Sequence, residues 1–173
     1  MLTTMTMRSP VGALWLCADE DQLVGLYLPD HPVPDAPRGR GGVLARAAAQ
    51  LTEYFAGERR DFDLPLAPSG TEFQRAVWRA LADIPFGTTC SYGDLARTVG
   101  RPAASRAVGA ANGKNPISIV LPCHRVIGAS GELTGYGGGL PMKRWLLDHE
   151  RGSVQPSLPG LADRSGTRGA ARR

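Results

Sequence analysis

The chain has 173 residues, 42% of them hydrophobic and 21% charged, enough apolar material for one or two small domains and too much for wholesale disorder. Its longest stretch free of Lys, Arg, Asp and Glu is 11 residues, 152–162, and Pro, Gly and Ser break it up, which excludes a membrane-spanning helix. Residues 1–7 are Thr- and Met-rich rather than basic and then apolar, so the N-terminus is read as uncleaved and the chain as cytoplasmic. Three cysteines with no close pair, Cys17, Cys90 and Cys123, fit a reducing compartment and argue against a disulfide framework or a Cys-x-x-Cys metal knuckle.

Charge is unevenly spread. Residues 1–70 carry 6 basic and 9 acidic side chains, residues 71–150 carry 9 and 6, and residues 151–173 carry 5 and 1. The asymmetry suggests a polyanion facing the middle segment, although differences of this size also occur in proteins without such a partner.

In chain order, the apolar runs 14–16 and 23–28, separated by the acidic turn 19–21, read as a β-hairpin. Residues 30–42, with three prolines and three glycines, read as a surface loop. From Val43, the positions Leu44, Ala47, Ala48, Leu51 and Phe55 recur at helical spacing, and Gly57 supplies the stop. Phe62, Leu64 and Leu66 alternate as a third strand would, and residues 67–70 then form a linker. Thr71 with Gln74 makes a capping box for a helix reaching Ile84. Ser91 with Asp94 caps a second helix over 92–99, and Gly100-Arg101-Pro102 turns the chain into a small-residue helix over 103–111 that carries Arg106. Two short helices about a tight turn resemble a helix-turn-helix, with two helices of an ordinary core as the plain alternative.

Asn115 precedes Pro116 and is steered out of helical geometry. The apolar run 117–121 then delivers Pro122, Cys123, His124 and Arg125 at its end. Residues 130–139 hold five glycines around Tyr136, so the backbone there can come close to a ligand. Pro141 starts a last helix that runs to Glu150, and the Pro-, Gly-, Ser- and Arg-rich tail 153–173 is expected to be disordered. The chain divides accordingly into residues 1–68, 69–152 and the tail.

Cys123 stands apart from Cys17 and Cys90, which read as small buried hydrophobes. A thiol among apolar groups is inert unless a base or cation favours the thiolate, and His124 is the nearest candidate. Adjacent side chains diverge, so a contact between the two needs a bend or a bridging water. Glu150 or Asp148 on the last helix could orient the other imidazole nitrogen. A nucleophile and a structural cysteine both remain open on these residues alone. Metal binding is disfavoured, because Cys17, His31, Cys90 and His149 are scattered. Lys143 could lower the thiol pKa through its charge, but it reads first as a solvated helix residue and stays outside the catalytic set.

Pro122-Cys123-His124-Arg125-Val126-Ile127 resembles the active-site signature of the O6-alkylguanine-DNA alkyltransferase family. The likeness continues through Ile84-Pro85-Phe86-Gly87, Ser91-Tyr92, Ser105-Arg106-Ala107-Val108-Gly109, residues 112–116 and residues 133–139. Residues 1–70 are similar mainly at Ser9-Pro10-Val11-Gly12 and Tyr54-Phe55-Ala56-Gly57. The resemblance implies an α+β protein: a small N-terminal α/β domain with a three-stranded antiparallel sheet, ribonuclease H-like, then a mainly helical domain with a winged helix-turn-helix.

It also implies direct repair of double-stranded DNA bearing O6-alkylguanine, and O4-alkylthymine, by one irreversible transfer to the protein's own cysteine, without cofactor or metal. The protein would act as a monomer, with cooperative binding along DNA open. The family's roles carry over with Cys123 as nucleophile, His124 as its water-linked base and Glu150 as the carboxylate orienting that base. Arg106 would take the place of the flipped nucleotide from the minor groove, on a helix whose Ala107 and Gly109 lie against the DNA. Tyr92 would crowd the 3′ phosphate, and Asn115 would brace the turn before the active-site segment. Tyr136 and the Gly137 backbone would hydrogen-bond the guanine, and the Val126 backbone would hold its amine. Gly137 stands where some relatives have serine, which implies a roomier pocket and tolerance of bulky alkyl groups. The family's zinc ligands, present in some relatives, have no counterpart here. The rival readings are a non-enzymatic damage sensor, which would lack the cysteine, a regulator, which would need a second DNA-binding module, and a cysteine hydrolase, which would turn over.

Overall fold

The computed structural model describes residues 1–152, so the expectation for the tail lies outside the described residues. Strands β1 (Leu2–Met7), β2 (Leu14–Asp19) and β3 (Gln22–Tyr27) form an antiparallel sheet in that order. The expected hairpin is β2–β3, turned at Glu20, whose φ is 53°. The third strand is a correction. It is β1, where Thr and Met alternate, and not residues 62–66. That run meets β3 at a single parallel bridge, Leu23 with Leu66, where Leu23 N donates to Pro65 O and Ala67 N to Leu23 O. Pro65 has no N–H to continue a ladder.

Both sheet edges are covered. The loop of residues 30–42 lays Pro37 and Gly39 along β1, bonded to Thr4. On the other edge, Leu26 N donates to Pro116 O and Ser118 N to Leu26 O, which ties β3 to the segment leading to Cys123. Helix α1 (Gly42–Phe55) buries Val43, Leu44, Ala47, Leu51 and Tyr54 and packs on the sheet.

Helix α2 (Glu72–Leu81) has the expected capping box and stops three residues before Ile84, as Asp83 N and Ile84 N bond back three residues to close the last turn. Helix α3 (Tyr92–Thr98) is capped by Ser91 and Asp94. Helix α4 spans Ser105–Gly113, two residues later than expected, because Ala104 N is held in a turn by Arg101 O. The indole of Trp78 donates to Ala111 O at 2.9 Å and clamps α2 to α4. Strands β4 (Cys90–Ser91) and β5 (Val126–Ile127), a parallel pair with no signal in the sequence, flank a 3₁₀ turn at Cys123–Arg125. Helix α5 (Leu140–Glu150) completes an α+β fold.

One apolar core runs from Leu14 and Leu51 through Trp78 and Val108 to Leu146, so both halves share it. No helix among the described residues is long and apolar enough to cross a membrane.

Candidate active site

Three backbone devices place Cys123. Pro122 precedes it, its own N–H bonds Leu121 O at 2.8 Å, and Arg125 N bonds Pro122 O at 3.0 Å, closing the 3₁₀ turn. Asn115 spans the approach: its Nδ2 donates to Leu121 O at 2.7 Å and its Oδ1 accepts from Ile117 N at 3.0 Å. Between them Ile119 holds a φ of 72°, a left-handed conformation that a β-branched residue keeps only when its surroundings impose it.

Glu150, at the end of α5, is the hub. Its Oε2 accepts from His124 Nε2 at 2.7 Å, from Tyr54 Oη at 2.6 Å and from Arg125 Nη2 at 3.0 Å, while Oε1 accepts from Arg125 Nε at 2.8 Å. Arg125 also donates to Ile84 O at 2.6 Å. Burial pushes the Glu150 carboxyl up, but the hydrogen bonds and charges of His124 and Arg125 outweigh it and hold the group well below the usual carboxylate range. An ionised carboxylate only accepts, so Nε2 of His124 carries the proton and Nδ1 keeps its lone pair. Nδ1 is buried and has no partner among the described residues. Burial lowers the imidazole pKa below 6.5 against the opposing pull of Glu150, so the ring is neutral. Asp148, the other carboxylate considered, faces Arg151 instead.

Burial pushes the Cys123 thiol up. The Asn115 side chain, the charge of Lys143 and the N–H groups of Cys123 and His124 pull the other way without cancelling it. The resting group is therefore a thiol beside a neutral base, not a free thiolate. Lys143 corrects its expected role, since it is fully buried, with Nζ donating to Val126 O at 2.6 Å and Thr134 O at 2.8 Å. The Val126 carbonyl thus has one lone pair engaged and one left.

A pocket reaches Cys123, lined by Asn115, Tyr136 and Gly137 and, from the other half of the chain, by Tyr27 and His31. The Tyr136 hydroxyl is buried without a partner among the described residues, and burial with the nearby Cys123 and Glu150 raises its pKa well above normal. A side chain at Gly137 would meet nothing within 4 Å.

Arg106 and Ala107 lie exposed on α4, away from the sulfur's buried surroundings. Gly109 faces the Tyr92 ring, 3.7 Å from where its Cβ would be, and the Tyr92 hydroxyl lies 2.9 Å from Thr134 Oγ1. The structure thus brings Cys123, His124, Glu150, Asn115, Val126, Tyr136 and Gly137 together and sets Arg106, Ala107 and Gly109 on a separate helical face. Sequence reasoning missed Tyr54, Tyr27 and His31, and it raised the charge of Lys143 beside the thiol but set it aside for a solvated position. The only signal for Tyr54 was its place in the shared Tyr54-Phe55-Ala56-Gly57 run.

Two family models match. The 6-O-methylguanine DNA methyltransferase DNA binding domain covers residues 72–152, and the ribonuclease-like domain of the same proteins covers residues 2–68. The chain is 50% identical over 161 residues to a methylated-DNA--protein-cysteine methyltransferase of Mycolicibacterium paratuberculosis, covering 91% of this chain and 98% of that one. It is 49% identical over 147 residues to one from Methanosarcina acetivorans, covering 83% and 94%. The crystal structure of Mycobacterium tuberculosis OGT in complex with DNA superposes with a TM-score of 0.83 at 48% identity, over 87% of this chain and 93% of that one. With both halves matched and identity near one half over almost its whole described length, the chain belongs to the 6-O-methylguanine DNA methyltransferase family.

Proposed function

We propose that this protein repairs double-stranded DNA directly, taking the alkyl group from O6-alkylguanine, and from O4-alkylthymine, onto Sγ of Cys123 once per molecule. The observation that carries the reading is the neutral His124, held by Glu150 through Nε2, with Nδ1 left open as a base beside the thiol turn. Through a bridging water, His124 takes the thiol proton. Sγ then bonds the alkyl carbon as the carbon–O6 bond breaks, and guanine leaves with its charge spread into the ring, where it takes up a proton. Thiol and alkylguanine give thioether and guanine, with no oxidant, metal or cofactor needed for the balance.

Tyr136, its hydroxyl proton held by a raised pKa, donates to the departing base, and the Gly137 backbone and the free lone pair of Val126 O orient it. The target must leave the stack to reach so buried a sulfur, at a cost of a few kcal/mol. In this reading Arg106, presented by α4 with Ala107 and Gly109 against the minor groove, fills the gap, and Tyr92 crowds the phosphate. A thioether has no easy route back to thiolate, so the protein is consumed. The division at residue 68, a cytoplasmic location and action as a monomer belong to the same reading.

Mass spectrometry of the protein mixed with limiting and then excess O6-methylguanine duplex tests it, with Cys123→Ser as control. One methyl on Cys123, saturating at one per protein, is expected. Binding without an adduct overturns it in favour of a damage sensor, and methyl loss beyond one per protein in favour of an enzyme that turns over.

A further inference from the structure

Strand β3 ends at Tyr27, and the chain turns back at once. His31 N donates to Leu28 O at 3.2 Å, and Asp30 takes a φ of 68° to make the turn. The turn lays the imidazole of His31 flat on the Tyr27 ring, with centroids 5.2 Å apart and planes 21° from parallel. Nδ1 of His31, which must carry the ring proton here, donates to Pro32 O at 2.7 Å and pins the ring in that plane. Both residues line the pocket that reaches Cys123.

The glycine-rich loop of residues 135–139 supplies the other side. At Gly138 the two sides touch: a Cβ there would come within 3.0 Å of Leu28 Cδ1. At Gly137 they do not, and the pocket keeps free space beside a stacked aromatic pair. The carbon to be transferred must sit at Sγ, so a methyl group ends there, while a larger substituent has to continue into the remaining space of the same pocket.

Resting on the alkyl-transfer reading above, we propose that Tyr27 and His31 form an aromatic platform that receives flat, aromatic O6-substituents such as benzyl and sets the protein's preference among lesions. The platform is a specificity device of the N-terminal half. It touches the part of the substrate that differs between lesions, while the guanine itself is held by the C-terminal half.

The test compares single-turnover rates of adduct formation on Cys123 with two duplexes of one sequence, one carrying O6-methylguanine and the other O6-benzylguanine, read by mass spectrometry. In His31→Ala, a change at an exposed position, the benzyl-to-methyl rate ratio falls about 2- to 12-fold, the rate equivalent of one aromatic contact. Tyr27→Ala lowers the same ratio, and His31→Phe, which keeps a flat ring, retains it. A ratio unchanged or raised in His31→Ala overturns the platform while leaving alkyl transfer intact. Failure of the unaltered protein to take methyl onto Cys123 overturns the transfer reading, and the platform falls with it.

Discussion

Tyr54, on a helix of the N-terminal half, shares its hydrogen-bond acceptor with His124: both donate to Oε2 of Glu150, at 2.6 and 2.7 Å. The two halves therefore meet at the carboxylate that fixes the imidazole. Tyr54→Phe removes one donor from a buried charged group and is expected to lower unfolding free energy by about 1.5–3 kcal/mol. Urea denaturation checks it, and a midpoint equal to that of the unaltered protein would show that the bond contributes nothing.

In the proposed reading Arg106 serves flipping and not the chemistry. Arg106→Ala is expected to slow adduct formation on duplex O6-benzylguanine at least about tenfold relative to the free base O6-benzylguanine, because only the duplex reaction needs the stack refilled. An equal effect on both substrates would place Arg106 in the pocket instead.

Lys143 contributes charge as well as packing. Its ammonium pulls the Cys123 thiol down, so Lys143→Met leaves burial less opposed and moves the thiol further up. The pH at which iodoacetamide labels the Cys123 peptide should rise, with Cys17 and Cys90 as internal references. The buried Val126 carbonyl also loses its donor, at about 1–3 kcal/mol of stability, and the half-buried Thr134 carbonyl loses one too. A labelling profile that stays put would remove the electrostatic role.

Acid should weaken the fold in two stages. Above pH 6.5, His124 is neutral both folded and unfolded, and Glu150 is ionised in both. Below 6.5 the unfolded chain gains a proton on His124 that the buried ring resists, so stability falls as pH falls. Below 4.5 the unfolded chain also protonates Glu150, whose folded pKa is depressed, and the loss steepens. Urea titrations across this range check the course, and Glu150→Gln should shrink the lower stage, leaving only what Asp94 and Glu132, carboxyls also held low in the fold by hydrogen bonds, contribute. The acid limb of the transfer rate should likewise lie below the ordinary imidazole value.

Contiguous features were legible in the sequence. The capping boxes at Thr71 and Ser91 and the run from Pro122 to Ile127 announce themselves within a few residues, because the physics they encode is local. What brings distant segments together was not. Lys143 reads as solvated because a lysine is rarely buried, and only the carbonyls of Val126 and Thr134, invisible in sequence, reverse that expectation. Tyr54 lies 96 residues from its partner Glu150. The pattern at residues 62–66 has the right alternation for a strand, and Pro65 denies it the ladder. The alternating Thr and Met of β1 carry the same signal without the obstacle.

The strained Ile119 gives the nucleophile its rigidity. Glycine would hold a φ of 72° with ease, whereas isoleucine keeps it in a tight turn closed over it by Val120 N on Ser118 O at 2.8 Å and by Leu121 N on Ile117 O at 3.0 Å, with Asn115 bonded to both ends of the segment. A segment pinned at both ends cannot sag toward solvent, so the sulfur stands in its final position before DNA arrives. The free energy of docking can then go into unstacking the damaged nucleotide instead of ordering the group that attacks it.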